Sequence, residues 1–190
     1  MKVLFINAAF RDGSRTRYLA EYYLNKFHAD DEVERLELGT DAPIPLDRTR
    51  LREYNAAVAT RNYDSDMFDY ARQFARADVI LIAAPFWNFG LPAVLGAYLE
   101  LVCSQGVTFD MDKKGNYISL CRAKKLVFFT TAGGYIPETN CAFGFLQDLC
   151  DAFFGISDVQ CFSAEGLDIV GADVEDLLEQ TCERMDCSAE

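Results

Sequence analysis

Short apolar runs alternate along the chain with longer amphipathic stretches, the pattern of βαβ units feeding a parallel sheet. Lys2 to Asn7, Glu32 to Leu38, Val79 to Ala84, Lys125 to Thr131 and Val159 to Ala164 read as strands. The first, third and fourth are nearly continuous hydrophobic runs, as central strands covered on both faces require. The second mixes Val33, Leu36 and Leu38 with charge, which places it nearer an edge. Helical spacing appears over Ser14 to Phe27, Asp64 to Arg76, Leu91 to Cys103, Thr139 to Phe154 and Asp173 to Met185.

Five strands and about five helices with no linker or repeat predict one α/β domain over residues 1–190. The expected architecture is doubly wound: a five-stranded parallel sheet of order 2-1-3-4-5 with helices on both faces. Its ligand crevice lies at the carboxyl ends of strands one and three. Two segments fall outside that minimum. Asp41 to Leu46 is a loop stiffened by Pro43 and Pro45, and about 106–124 reads as an inserted β-ribbon turning at Lys113 to Asn116. Leu91 to Cys103 carries an apolar surface (Leu91, Val94, Leu95, Tyr98, Leu99, Leu101, Val102) wider than packing on one sheet needs. It is expected to give one side to a two-fold partner, with the ribbon reaching toward that partner's site.

Composition narrows the function. The chain has 51 % hydrophobic and 25 % charged residues, an ordinary globular balance. No apolar run approaches the roughly 20 residues of a membrane helix, and Val3 to Ile6 is too short for a signal-peptide core. A cytoplasmic protein without a membrane partner is expected. The net charge of −12 argues against nucleic acid, because phosphate binding wants a basic face. Seven cysteines without a C-x-x-C pair support neither a disulfide framework nor a zinc site, and no metal is expected. His28 is the only histidine, and a helix of about 20 Å from Ser14 carries it to the edge opposite the crevice. It is not expected to do chemistry.

Three loops at the predicted rim have unusual chemistry. Asn7 to Arg17 leaves the first strand through small residues and meets a helix capped by Ser14. Unpaired N–H groups at that helix start, the hydroxyls of Ser14 and Thr16, and Arg11, Arg15 and Arg17 suit a dianionic phosphate. Pro85 to Gly90 gathers Phe86, Trp87, Asn88 and Phe89, which suits a planar heteroaromatic ring with polar edges. Thr130 to Tyr135 contains Gly133 and Gly134, whose N–H groups suit the N1/O2 edge of a flavin, with Tyr135 over or beside the ring.

With these residues in place, the sequence resembles the FMN-dependent NADH-azoreductases and related NAD(P)H:quinone oxidoreductases of the flavodoxin-like fold. The likeness spans the opening strand and Ser-x-Thr turn, Pro43 to Pro45, Ala77 to Phe89, Gly106 to Phe109, Lys124 to Gly134 and Ala164 to Gly166. Its most specific element is the aromatic-Asn-Phe turn followed 17 residues later by Gly106-Val-Thr-Phe109. The resemblance implies that Ser14, Arg15 and Thr16 hold the FMN phosphate. Phe86, Trp87, Asn88 and Phe89 would hold the ribityl chain and ring, and Thr131, Ala132, Gly133 and Gly134 the pyrimidine edge. It also implies a homodimer with substrate entering between subunits and ping-pong hydride transfer. Departures from the family pattern are Ala8 and Ala9 for serine, Thr131-Ala132 before the glycines for Ser-Arg, Tyr135-Ile136 after them, and Ala123 before Lys124.

The expected activity is therefore reduction of a quinone or azo compound by NADH or NADPH through bound FMN. No protein side chain is assigned a catalytic role, since the flavin carries the hydride chemistry. Trp87, Phe89, Phe109 and Tyr135 are candidate walls of the substrate slot. The competing expectation is an FMN-binding electron carrier or redox sensor whose acidic surface docks on a basic partner. A third is a structural relative that has lost FMN.

Overall fold

The computed structural model describes residues 1–188; Ala189 and Glu190, the end of the expected domain, lie outside the described residues. In chain order the elements are β1 (Lys2–Asn7), α1 (Arg15–Phe27), β2 (Glu32–Glu37), α2 (Arg48–Thr60), a 3-10 turn (Asp66–Phe68), α3 (Asp69–Arg76), β3 (Val79–Ala83) and α4 (Ala93–Val102). They continue with β4 (Phe109–Met111), β5 (Tyr117–Ser119), β6 (Lys125–Thr131), α5 (Phe143–Leu149), a π-helical turn (Cys150–Phe154), β7 (Asp158–Ala164) and α6 (Val174–Cys187).

The main sheet has the order β2-β1-β3-β6-β7, every pair parallel. Counted without the ribbon strands β4 and β5, that is the expected 2-1-3-4-5, with β2 at one edge. Side chains alternate across a strand, so each central strand feeds two cores. Leu4, Ile6, Ile80, Ile82, Leu126 and Phe128 meet Phe74, Leu95, Tyr98, Leu99 and Leu146 from α3, α4 and α5. Val3, Phe5, Leu81, Val127 and Phe129 meet Leu19, Tyr23 and Leu24 of α1 and Met185 of α6 on the other face. Among the described residues no helix is long and apolar enough to cross a membrane.

Helix α2 was not expected. It has no buried residue, so no apolar stripe marks it in the sequence; Asp47 caps it by accepting from the N–H groups of Thr49 and Arg50. The segment expected as one helix from Asp64 opens with a 3-10 turn. The one expected from Thr139 starts at Phe143, where Asn140 accepts from the N–H groups of Ala142 and Phe143. His28 ends α1, with Nδ1 2.8 Å from Asp31 Oδ2 at the amino edge of the sheet.

The ribbon forms as expected, β4 antiparallel to β5, with Phe109 and Tyr117 packed on Phe153. The apolar surface of α4 turns inward, not toward a partner. Leu95, Tyr98, Leu99, Leu101 and Val102 are all buried within the chain, and the exposed positions of α4 are Ala93, Gly96 and Glu100. Exposed apolar area lies instead on the ribbon, at Met111, Ile118 and Leu120.

All seven cysteines are free thiols. Burial pushes Cys103, Cys121, Cys150 and Cys161 up to about 12. Because burial favours the neutral thiol, their contribution to stability is whole below the ordinary thiol value near 9 and declines as pH rises toward 12. Iodoacetamide at pH 8 should modify exposed Cys141 and Cys187 in the folded protein and the buried thiols only after denaturation. Mass mapping that finds Cys121 or Cys150 labelled as fast as Cys141 would overturn this assignment.

Candidate functional site

Strands β1, β3, β6 and β7 all release the chain at one edge, and a cavity of 350 Å³ opens there. It is lined by residues 9–16, 85–87, 131–133 and 167–168. The first wall begins at buried Asn7, whose Oδ1 accepts from the N–H of Ala9 at 2.9 Å while Nδ2 donates to Glu37 at 2.6 Å. These bonds turn the chain sharply off β1. Gly13, with φ +65°, brings it back to start α1. Ser14 caps the helix by accepting from the N–H of Arg17 at 3.3 Å. The N–H groups of Arg15 and Thr16 have no acceptor among the described residues, so the positive end of α1 faces the cavity with donors to spare.

The floor is tied across the sheet. Thr16 is 1 % exposed, and its hydroxyl lies 2.6 Å from that of Thr131 at the end of β6. Beyond Thr131, Ala132 to Gly134 runs beside residues 166–168: Leu167 donates to the carbonyl of Ala132, Asp168 to that of Gly133 and Gly166 to that of Gly134. At the mouth, Arg15 Nη1 donates to Asp168 Oδ1 at 2.9 Å. Ala8, Ala9 and Ala132 are buried, and their methyl side chains offer the cavity no hydrogen bond.

The third wall is a tight reversal. Trp87 and Gly90 exchange backbone hydrogen bonds of 3.1 and 2.9 Å, and the two residues between them are both left-handed, Asn88 at φ +52° and Phe89 at φ +63°. Asn tolerates that region, but a bulky aromatic residue does so only under strain. Phe89 is held there, 71 % exposed at the rim. Phe10 stands edge-on to Trp87, with centroids 6.2 Å apart, and closes the adjoining side.

Of the residues singled out from the sequence, Ser14, Arg15, Thr16, Phe86, Trp87, Thr131, Ala132 and Gly133 line the cavity together. Asn88, Phe89, Gly134 and Tyr135 stand beside it; Tyr135 is 78 % exposed. Phe109 does not reach it and packs in the ribbon base. Phe10, Asp12, Leu167 and Asp168 also line it and were not anticipated. The loop after the fifth strand ends at the same rim, and applying the carboxyl-end rule to it would have found the last two.

A family of the flavodoxin-like fold matches residues 1–187. The FMN-dependent NADH:quinone oxidoreductase 2 of Clostridium acetobutylicum is 33 % identical over 96 % of this chain and 95 % of its own length. The chain belongs to this flavodoxin-like oxidoreductase family. Two solved structures share its fold: an azoreductase from Bacillus anthracis (TM-score 0.85, 22 % identity, 100 % of this chain and 98 % of the other) and an FMN-dependent NADH-azoreductase from Bacillus anthracis in complex with FMN (TM-score 0.78, 20 % identity, 100 % and 99 %).

Phe89→Gly should remove the left-handed strain and raise the unfolding free energy by roughly 0.5–1 kcal/mol in urea titration. Loss of stability would mean instead that contact with Phe86, 6.3 Å between centroids, holds the turn.

Proposed function

We propose that the protein is an FMN-dependent NADH oxidoreductase that reduces quinones or azo compounds. One observation carries the reading: the unpaired N–H donors of Arg15 and Thr16, the Ser14 hydroxyl and the Arg15 guanidinium converge on a cavity that continues to an aromatic turn and a Gly-Gly edge. A phosphate at one end and a flat polar-edged ring at the other fit that order. FMN held there would supply two-electron hydride chemistry between NADH or NADPH and the acceptor, in a ping-pong cycle.

The chain's own part is position and electrostatics. Ser14, Arg15 and Thr16 bind the phosphate; Phe86, Trp87 and the Asn88-Phe89 turn flank the ribityl chain and ring. The N–H groups of Gly133 and Gly134, which have no acceptor among the described residues, would be the donors for the pyrimidine edge and would favour the negative charge that reduction brings there. Ala132 leaves that edge without a positive side chain, so the backbone donors act alone. Tyr135 and Phe89 bound the open side, where the acceptor enters. The oxidoreductase names of relatives matched over nearly the whole chain favour an enzyme over an electron carrier.

Protein refolded with FMN should show a bound-flavin spectrum and oxidise NADH faster when benzoquinone is added. A protein indifferent to FMN would sink both the enzyme and the carrier readings, whereas bound FMN without quinone-stimulated turnover would leave the carrier.

Assembly follows from the exposed apolar side chains. Met111, Ile118 and Leu120, exposed on the ribbon, favour a homodimer in which each ribbon, Phe109 included, approaches the partner's site. In this reading the protein works in the cytoplasm as a two-fold assembly. Sedimentation at micromolar concentration should give a dimer, and Ile118→Glu a monomer. A monomeric parent that turns over quinone normally would rule the shared slot out.

A further inference from the structure

The mouth of the cavity carries as many negative as positive side chains. Arg11 and Arg15 line it, and so do Asp12 and Asp168. Asp168 is the one that engages: its Oδ1 lies 2.9 Å from Arg15 Nη1, and its carboxylate also covers Gly133, where an added Cβ would overlap Oδ2. The space that glycine leaves open is therefore filled by a carboxylate. Arg15 and Asp168 are 40 % and 72 % exposed, and ion pairs of that kind contribute little to stability, so Arg15 exchanges one anionic partner for another at small cost.

We propose that Asp168 competes with the cofactor phosphate for Arg15, and so sets how strongly the cavity prefers a phosphorylated flavin to an unphosphorylated one. The proposal rests on the FMN reading of the cavity. A dianion entering beside the α1 start must draw Arg15 from Asp168 and then remain near that carboxylate. Both effects weaken phosphate binding, whereas the carboxylate's cover of Gly133, beside the ring, acts on FMN and riboflavin alike and cancels in the ratio of their affinities. Asp12 lines the same cavity but holds no arginine among the described residues, so it adds repulsion without sequestering a donor. The protein's −12 charge makes the local balance matter more, because the wider surface offers a phosphate no attraction. If Asp168 instead oriented Arg15 toward the phosphate, its removal would act in the opposite direction.

FMN and riboflavin titrated into the parent, Asp168→Asn and Asp30→Asn, followed by flavin fluorescence, test the proposal. Asp30→Asn makes the same change in net charge at the opposite edge of the sheet. Asp168→Asn should raise the preference for FMN over riboflavin roughly 3- to 10-fold. The gain should shrink between about 50 mM and about 500 mM salt, and Asp30→Asn should change neither ligand. Circular dichroism should show the Asp168 variant folded, since the side chain is largely exposed. A preference for FMN over riboflavin left unchanged or lowered by Asp168→Asn would overturn the competition. A parent that binds neither flavin would overturn the FMN reading itself, an outcome separate from a parent that binds FMN with an affinity Asp168 does not affect.

Discussion

Parallel pairing of β1 with β3 and of β3 with β6 is the constraint on which the site depends. In register, Asn7 stands opposite Ala83 and Ala83 opposite Phe129, so three chains leave the sheet within a residue or two of one line. Each must then turn, and each does so with a different device. Asn7 bends the first by accepting from Ala9, a left-handed pair reverses the second, and Ala132 to Gly134 runs alongside residues 166–168 in the third. The cavity is the space these turns leave between them. Its rigidity comes from the two cores beneath, where Leu4, Ile80 and Phe128 fill one face and Phe5, Leu81 and Phe129 the other. A shift of one residue in any central strand would exchange the two sets of side chains and scatter the turns.

Across that cavity the positive potential comes from the start of α1 more than from side chains, whose charges balance. The start of α1 presents free donors, yet no acidic residue occupies its first turn, and the positive end is left for something else to satisfy. Arg17 is drawn aside by Glu21 and Glu37, at 3.7 and 3.8 Å, and Arg15 by Asp168. Of three arginines crowded into the first loop, two are thus held by carboxylates in the fold. Counting basic residues along the chain overstated the positive charge available at the mouth.

How much of this was legible in the sequence differs from element to element. The five strands and the three rim loops were legible because each is encoded locally: an unbroken apolar run marks a strand buried on both faces, and clustered Gly, aromatic and hydroxyl residues mark a loop that meets a ligand. The ribbon was legible too, from Lys113-Lys-Gly-Asn116 between two alternating segments. Helix α2 was not, because a helix with no buried face leaves no periodic trace.

By itself the sequence determined that this chain is a parallel α/β sheet whose first, third and fourth strands end in polar and aromatic turns. Tertiary structure decided which side chains act together there. Thr16 meets Thr131 across 115 positions, and Arg15 meets Asp168 across 153. It also decided that the apolar side chains of α4 close the chain's own core instead of facing outward, and that Phe89 bears a left-handed backbone. The physical reason is the same in each case. Hydrophobic period fixes which element forms and which face it buries, whereas a hydrogen bond or ion pair between distant residues exists only after sheet register and helix placement have fixed the ångströms between them.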